Sequence, residues 1–124
     1  MTQPLWSPSA GRIDQSNMKA LMNFIGEDGH NVQHYQDLQD FSVRLPHLFW
    51  KYVWEFGAFT QQTPHTSVLE QGDKMPGAKW FNGAKLNFAE NLLKFRDDSL
   101  AIVAYDERGK QQQLSYAQLY QQVA

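Results

Sequence analysis

The stretch MPGAKWFNGAKLNFAENLL, from Met75 to Leu93, contains the residues of this chain that come nearest to a phosphate-binding loop. Such a loop needs four residues between two glycines, a lysine directly after the second glycine, and then a serine or threonine. Here five residues separate Gly77 from Gly83, and Lys85 follows only after an alanine. No strand-to-helix pattern surrounds the two glycines. The segment is therefore predicted to form turns, and its role must lie outside phosphate chemistry.

The candidate metal ligands are four histidines, His30, His34, His47 and His65. The first two are spaced as ligands on one helical face, but Gly29 disfavours a helix there and no third ligand is placed by local spacing. The chain contains no cysteine, which excludes disulfides and zinc–thiolate sites. We expect His30 and His34 to be solvated, and we expect no transition metal at any of the four histidines.

The candidate catalytic groups are two acidic pairs and three serines: Asp37 with Asp40, Asp97 with Asp98, and Ser67, Ser99 and Ser115. Acid–base catalysis near neutral pH needs a carboxyl group whose pKa is raised, most often by burial. Polar neighbours predict surface positions for both acidic pairs instead. None of the serines lies in the strained strand-to-helix turn of a serine hydrolase. We therefore assign no catalytic, cofactor-binding or metal-binding residue in this chain.

Composition excludes further classes of protein. The net charge of −2 gives no reason to expect a surface for nucleic acid or for anionic membranes. The first residues lack the basic start and apolar run of a signal peptide, and no run is long enough to cross a bilayer. Together with the lack of cysteine, this favours a cytoplasmic location. Aromatic residues make up 14% of the chain, so many rings should need a partner surface.

Three helices are predicted in the first half, Pro8–Ile25, His34–Phe41 and Pro46–Phe56. The first begins after a cap at Ser7 and ends at Gly26, and the third ends at Gly57. The third helix is apolar nearly all round, which predicts burial on more than one side. Such a helix is most often core, although an aromatic face can also bind a partner.

The second half is predicted to be irregular from Gln61 to Ala84, because prolines and glycines are frequent, with Trp80 and Phe81 anchored. The elements that follow are a helix from Phe88 to about Lys94 capped by Asn87, strands at Leu100–Tyr105 and Lys110–Leu114, and a helix from Tyr116 capped by Ser115 with Gln118. The predicted fold class is α+β, mainly helical with one antiparallel β-hairpin.

The last helix has no stop signal, and a two-stranded hairpin is marginally stable alone. We therefore expect these residues to be cut from a longer protein. Some of the rings of Trp50, Trp54, Trp80 and Phe81 should then be exposed, or buried only against a second copy.

The short motifs of the chain are Phe49-Trp50, Trp80-Phe81 with Gly83, Lys85-Leu86-Asn87 with Asn91, and Leu114-Ser115-Tyr116 with Leu119. Their order and spacing resemble the N-terminal segment of acyl-CoA synthetases of the acetyl-CoA synthetase type. The leader PLWSPS, Arg12-Ile13, Asn17-Met18, Phe24 and PGAKWFNGAKLNFAENLL resemble the acetoacetyl-CoA synthetase subgroup. The resemblance covers essentially the whole chain.

The resemblance implies an α/β adenylate-forming parent enzyme that converts acetoacetate to an acyl-adenylate with ATP and magnesium, and then to acetoacetyl-CoA. It implies a helical and loop segment over residues 1–95 and the start of the large adenylate-forming domain over residues 96–124. The family's phosphate loop, adenine motif and catalytic lysine have no counterpart here, so the chain alone should be inactive. Its partners would be the rest of its own chain, or a second copy.

Under this resemblance, Met75 to Leu93 is a structural strap. Trp80 and Phe81 anchor it, Gly77 and Gly83 supply its turns, and Asn87 begins the next helix. Two alternatives stay open at this point. One is the N-terminus of an acetyl- or propionyl-CoA synthetase, because the acyl pocket lies outside these residues. The other is a standalone helical module that binds a partner protein through the face from Phe49 to Phe56.

Overall fold

A computed structural model describes residues 5–123, except for the side chain of Gln111. Contacts divide the chain into two compact units. Unit 1 comprises the residues up to Phe59 together with His65–Asn82, and unit 2 comprises Thr60–Pro64 together with the residues from Gly83 onward. The predicted α+β class is confirmed, because helices predominate and the strands form two small antiparallel sheets.

Unit 1 contains four helices and one pair of strands: α1 Ala10–Asp14, α2 Asn17–Glu27, α3 Tyr35–Arg44, α4 Pro46–Phe56, β1 Ser67–Glu70 and β2 Lys79–Asn82. The single helix predicted for Pro8–Ile25 is therefore wrong. Ser16 has extended backbone angles and its hydroxyl accepts a hydrogen bond from the Lys19 N–H, so it caps a new helix. Ser9, rather than Ser7, caps α1.

The core of unit 1 is formed by α2, α3 and α4 together with Val32 from the loop between α2 and α3. It consists of Met22, Ile25, Val32, Leu38, Phe41 and Tyr52, of which Ile25 has no exposed surface. Helix α4 supplies Tyr52 to this core and packs on α2 and α3. It also packs on β1. The predicted burial of α4 on more than one side is thus confirmed, as are its start at Pro46 and its end at Gly57.

The segment from Gln61 to Ala84, predicted to be irregular, contains both strands of unit 1. Strands β1 and β2 are antiparallel and pair Ser67 with Asn82 and Glu70 with Lys79. Each strand has only four residues, and the prolines and glycines that suggested a loop are concentrated mainly in the connection between them. The pairing joins residues distant in sequence, so local patterns did not indicate it.

Unit 2 contains α5 Phe88–Leu92, β3 Leu100–Asp106, β4 Gly109–Ser115 and α6 Tyr116–Val123. The predicted hairpin is confirmed, with each strand one residue longer at the turn and β4 also one longer at Ser115. The predicted capping box is confirmed as well. The Ser115 N–H donates to the Gln118 amide oxygen at 3.0 Å, and the Gln118 N–H donates to the Ser115 hydroxyl at 3.2 Å.

Helices of the described residues, 5–123, are all too short or too polar to cross a membrane.

Candidate functional site

Gly77, Gly83 and Lys85, which were compared with a phosphate-binding loop, form turns and a main-chain bridge. Gly77 and Gly83 have positive φ angles of 135° and 84°, so both form the predicted turns. The main chain of Lys85 bridges to Thr63: the Lys85 N–H donates to the Thr63 carbonyl oxygen at 3.2 Å. The Lys85 side chain is exposed. These residues act as turn and bridge positions within the fold.

The histidines differ from one another in environment. His34 is exposed and caps α3, as expected for a solvated side chain. His30 is half-buried, with its ring 5.0 Å from that of Phe41 and 5.8 Å from that of Tyr52, so its predicted solvation is wrong. Gly29, at φ 86°, reverses the chain next to His30. Among the described residues, no three histidine, aspartate or glutamate side chains are grouped as a metal site requires.

The carboxylates accept local hydrogen bonds that favour their charged forms. The N–H groups of His34 and Gln33 donate to Asp37 at 2.8 and 3.0 Å and hold the pKa of this carboxyl below its usual value. The hydroxyl and N–H of Ser99 likewise donate to Asp97 and lower its pKa. A lowered pKa is the opposite of what a general acid needs. Asp37 and Asp97 therefore stabilise turns and helix starts.

The serines considered as nucleophiles also have structural partners. The Ser67 hydroxyl donates to Glu70, and Asn82 donates to the same carboxylate oxygen, which links β1 to β2. Ser99 donates to Asp97, and Ser115 caps α6. None of these three hydroxyls donates to a histidine in the described structure, so a base-activated serine nucleophile is not assembled here.

The hydrogen bonds to Asp37 predict a pH-dependent contribution to stability. Because the folded pKa lies below the unfolded value of 3.8, the contribution is full above pH 3.8 and is lost as pH falls through the folded pKa. Asp37→Asn should therefore lower the urea midpoint at pH 7, and the difference from wild type should shrink below pH 3.8. Asp40→Asn, which alters only a 3.3 Å bond from Gln36, is the matched control. A difference for Asp37→Asn that stays constant with pH would contradict this role.

Four aromatic rings of unit 1 make contacts between α4 and β2. Trp50 and Trp54 lie one turn apart on α4, and Trp80 and Phe81 are consecutive in β2. The Trp50 and Trp80 rings meet edge to face at 5.8 Å, and the Trp54 and Phe81 rings stack at 4.2 Å. The predicted anchoring of Trp80 and Phe81 is confirmed, and α4 is the element that anchors them.

The backbone of Phe81 explains how two consecutive residues reach the same helix. Successive side chains of a regular strand point to opposite faces, so Trp80 and Phe81 should diverge. Phe81 instead has a positive φ of 46°, a conformation that is strained for a residue of this kind. This departure from strand geometry directs both rings to α4. Sequence patterns gave no signal for it, because phenylalanine disfavours such a φ angle.

These contacts form a packed cluster of rings and, beside it, a concave surface. The aromatic anchor consists of Trp54, Phe81, Phe59 and His65, with Phe59 and His65 lying 5.3 and 5.5 Å from Trp54 between ring centres. The aromatic notch is a concave apolar surface lined by Trp50, Trp80 and Phe81. Trp50 and Trp80 remain 42% and 45% exposed, which confirms the prediction that some of these rings are exposed. Phe59 and His65 were not predicted to belong to this cluster.

Asn91 makes three side-chain hydrogen bonds in unit 2. Its amide oxygen accepts from the Thr60 N–H at 2.8 Å, and its amide nitrogen donates to the carbonyl oxygens of Thr60 and Asn87 at 2.8 and 2.9 Å. Asn91 therefore ties the loop at Thr60 to the start of α5. Asn91 belongs to one of the motifs that resemble acyl-CoA synthetases, although its spacing did not predict these hydrogen bonds.

Asn91→Asp tests this arrangement with almost no change in side-chain size. The carboxylate can still accept from the Thr60 N–H, but it cannot donate to the two carbonyl oxygens. We expect a loss of about 0.5–1.5 kcal/mol in the free energy of unfolding of unit 2, the usual net contribution of a hydrogen bond, because these bonds are exposed to water. Asn91→Ala should cost a similar amount. Urea titration followed by circular dichroism measures both, and an aspartate variant as stable as wild type would contradict the two donated bonds.

Comparisons with known proteins agree with this geometry. The family model described as the acetyl-coenzyme A synthetase N-terminus matches residues 35–92, which include α3, α4, both strands of unit 1 and α5. The acetoacetyl-CoA synthetase of Danio rerio is 36% identical over 106 residues, covering 83% of this chain and 16% of that protein. The malonamoyl-CoA synthetase of Penicillium aethiopicum is 31% identical over 127 residues, covering 96% of this chain and 17% of that protein.

The solved acetoacetyl-CoA synthetase from Streptomyces lividans has the same fold over 99% of this chain, with a TM-score of 0.87 and 35% identity. This chain spans 20% of that structure's length. The family model and the solved structure thus both match this chain to the N-terminal region of enzymes of the acetyl-CoA synthetase type. Within that class it matches the N-terminal portion of acetoacetyl-CoA synthetases, which confirms the family resemblance identified from the sequence.

Proposed function

We propose that this chain is the N-terminal portion of an ATP-dependent ligase that joins acetoacetate to CoA through an acyl-adenylate. The observation that carries the proposal is the match to the Streptomyces lividans acetoacetyl-CoA synthetase over 99% of the chain. The whole enzyme would use ATP, magnesium and CoA in the cytoplasm. Residues 1–95 would form its N-terminal segment, and residues 96–124 would begin its large adenylate-forming domain.

Within that enzyme, the role of these residues is structural. Acyl activation needs donors aimed at the transferring phosphates and a metal that neutralises developing charge. The polar groups considered above are instead engaged in caps, turns and strand pairing. The catalytic and cofactor-binding residues would therefore all lie outside this segment. The strap from Met75 to Leu93 would support the larger body through the α4 contacts of Trp80 and Phe81.

Malonamate is a second candidate substrate, because one relative is named a malonamoyl-CoA synthetase. Acetoacetate and malonamate are both short acids with a carbonyl group β to the carboxylate, and they differ in bearing a methyl or an amino group on that carbonyl carbon. Acetate lacks the β-carbonyl group. We therefore propose short β-carbonyl acids as the substrate class, with acetoacetate preferred because most of the named relatives act on it.

Pyrophosphate release tests the proposal on two proteins: these 124 residues alone and a full-length synthetase chain containing them. Acetoacetate, malonamate and acetate are supplied in turn with ATP and magnesium, and CoA is then added to detect the thioester. We expect no release from the short chain, and a higher kcat/KM for acetoacetate than for acetate in the long one. Preference for acetate would reject the subgroup. Activity of the short chain would reject the structural role, and inactivity of both with all three acids would favour the standalone binding module.

A further inference from the structure

We infer that Asn82 is a site of spontaneous chemical modification, in which deamidation converts its side-chain amide to a carboxylate. Asn82 is the last residue of β2, and Gly83 follows it in the turn. No other asparagine of this chain precedes a glycine. The structure leaves the nucleophile of the reaction available and restrains the amide that it attacks, so both parts of the site can be tested.

The reaction at an asparagine–glycine pair needs only water as a co-reactant. The backbone nitrogen of Gly83 gives up its proton and bonds to the side-chain carbonyl carbon of Asn82. The C–N bond of the amide breaks, ammonia carries that proton away, and a succinimide ring remains. Water then opens the ring at either carbonyl and gives aspartate or isoaspartate. Glycine favours the attack because it has no Cβ to crowd the nucleophile and leaves the backbone free to rotate.

The backbone nitrogen of Gly83 is available as the nucleophile. Gly83 is exposed, and its N–H donates to no hydrogen-bond acceptor within residues 5–123. Asp28 followed by Gly29 is the contrasting pair, because an aspartate can close the same ring with loss of water. There the Gly29 N–H donates to the Gly26 carbonyl oxygen at 3.0 Å, which engages the nucleophile. The backbone hydrogen bonds therefore favour reaction at Asn82 over reaction at Asp28.

The Glu70 carboxylate restrains the amide that is attacked. The Asn82 amide nitrogen donates to a Glu70 carboxylate oxygen at 3.1 Å, and the Ser67 hydroxyl donates to the same oxygen. The bond from Ser67, and then the bond from Asn82, hold the pKa of Glu70 below its usual value, so the carboxylate is charged at neutral pH. A charged acceptor makes the stronger hydrogen bond. Because the amide nitrogen departs as ammonia, this bond must be lost, and Glu70 therefore slows the reaction.

Deamidation weakens the link between β1 and β2. The product has a carboxylate where the amide donated to Glu70, and two like charges at hydrogen-bond distance repel each other. Isoaspartate also lengthens the main chain by one carbon atom at the residue that pairs with Ser67. The residue before it is Phe81, which stacks on Trp54. The modification therefore disturbs the strand that carries the aromatic anchor.

Ageing of a full-length synthetase chain that contains these residues tests the modification. The protein is kept folded in mildly alkaline buffer, and peptide mapping by mass spectrometry separates the asparagine, aspartate and isoaspartate forms of each site. Asn31, which is exposed but precedes the buried Val32, is the internal reference. We expect Asn82 to convert several-fold faster than Asn31, with isoaspartate among the products. An Asn82 peptide that converts no faster than that of Asn31 would overturn the inference.

Three variants test the chemistry and the restraint, each checked for folding by circular dichroism. Glu70→Ala removes the acceptor of the Asn82 amide, and we expect deamidation several-fold faster than in wild type. Thr66→Val is the matched control, because it removes a 3.1 Å hydroxyl bond to the main-chain oxygen of Asn82 and leaves the amide bonded. Its rate should stay near that of wild type, and equal acceleration by both variants would contradict the role of Glu70. Asn82→Gln must close a larger ring, so the modification of this peptide should disappear, and its persistence would contradict the assignment to Asn82.

Discussion

Tyr52→Ala is expected to lower the free energy of unfolding of unit 1 by about 3–5 kcal/mol, the range for removing a buried aromatic side chain. Tyr52 is only 3% exposed and its ring lies at the centre of the core. The rings of Phe24, His30 and Phe41 surround it at centre distances of 6.0, 5.8 and 6.1 Å. Alanine would leave a cavity against all three, and the neighbouring helices could close it only in part.

Tyr52→Phe separates the ring from its hydroxyl group. The hydroxyl donates to the Asp28 carboxylate at 2.8 Å, and Asp28 is exposed enough to be rehydrated when that bond is removed. We therefore expect the phenylalanine variant to lose only about 0.5–1.5 kcal/mol. Urea midpoints followed by near-ultraviolet circular dichroism give both values. Equal losses for the two variants would contradict a packing role for the ring.

The same residue predicts a loss of stability in alkaline solution. Burial, and then the hydrogen bond to Asp28, raise the pKa of Tyr52 to about 12 from 10.0. Since the folded pKa lies above the unfolded one, the contribution is full below pH 10.0 and is lost as pH rises toward about 12. The stability difference between wild type and Tyr52→Phe should therefore shrink over this interval, because the variant has no hydroxyl group to ionise.

The parts of the fold that could be predicted are those set by neighbouring residues. Pro46 and Gly57 mark the ends of α4, Asn87 caps α5, and Gly109, at φ 101°, forms the turn of the hairpin. Each depends on contacts within a few residues, which local spacing reports. Ser16 was the exception, because its capping role interrupts an apolar pattern that otherwise continues.

The parts that could not be predicted depend on contacts between residues distant in sequence. His30 is polar and lies beside glycine, yet Phe41 and Tyr52 cover its ring. Strands β1 and β2 pair across a segment rich in turn residues, which predicted a loop instead of a sheet. The notch forms because Phe81 departs from the strand conformation. The candidate surface was therefore predictable as a set of aromatic residues needing partners, but its pairing and its shape were not.

Trp54→Ala is expected to be the most damaging substitution outside the core, with a loss of about 3 kcal/mol, near the lower end for large aromatic residues because the ring is half-buried. It removes the partner on which Phe81 stacks and leaves Phe59 and His65 without their shared contact. The loss of this partner also leaves the strained backbone of Phe81 without the contact that offsets it.

Trp50→Ala is the matched control, because it makes the same change one turn earlier on the same helix, where the effect on helix propensity is equal. Trp50 is more exposed, so its loss in these 124 residues should be about half as large. Phe81→Gly, made in wild type and in the Trp54→Ala variant, completes a double-mutant cycle. Glycine is suitable because it accepts the positive φ of this position without strain. We expect a coupling of about 0.5–1.5 kcal/mol between Trp54 and Phe81, the range for stacked aromatic pairs. Additive losses would mean that the stack does not hold Phe81 in place, and the notch would then have no preformed walls.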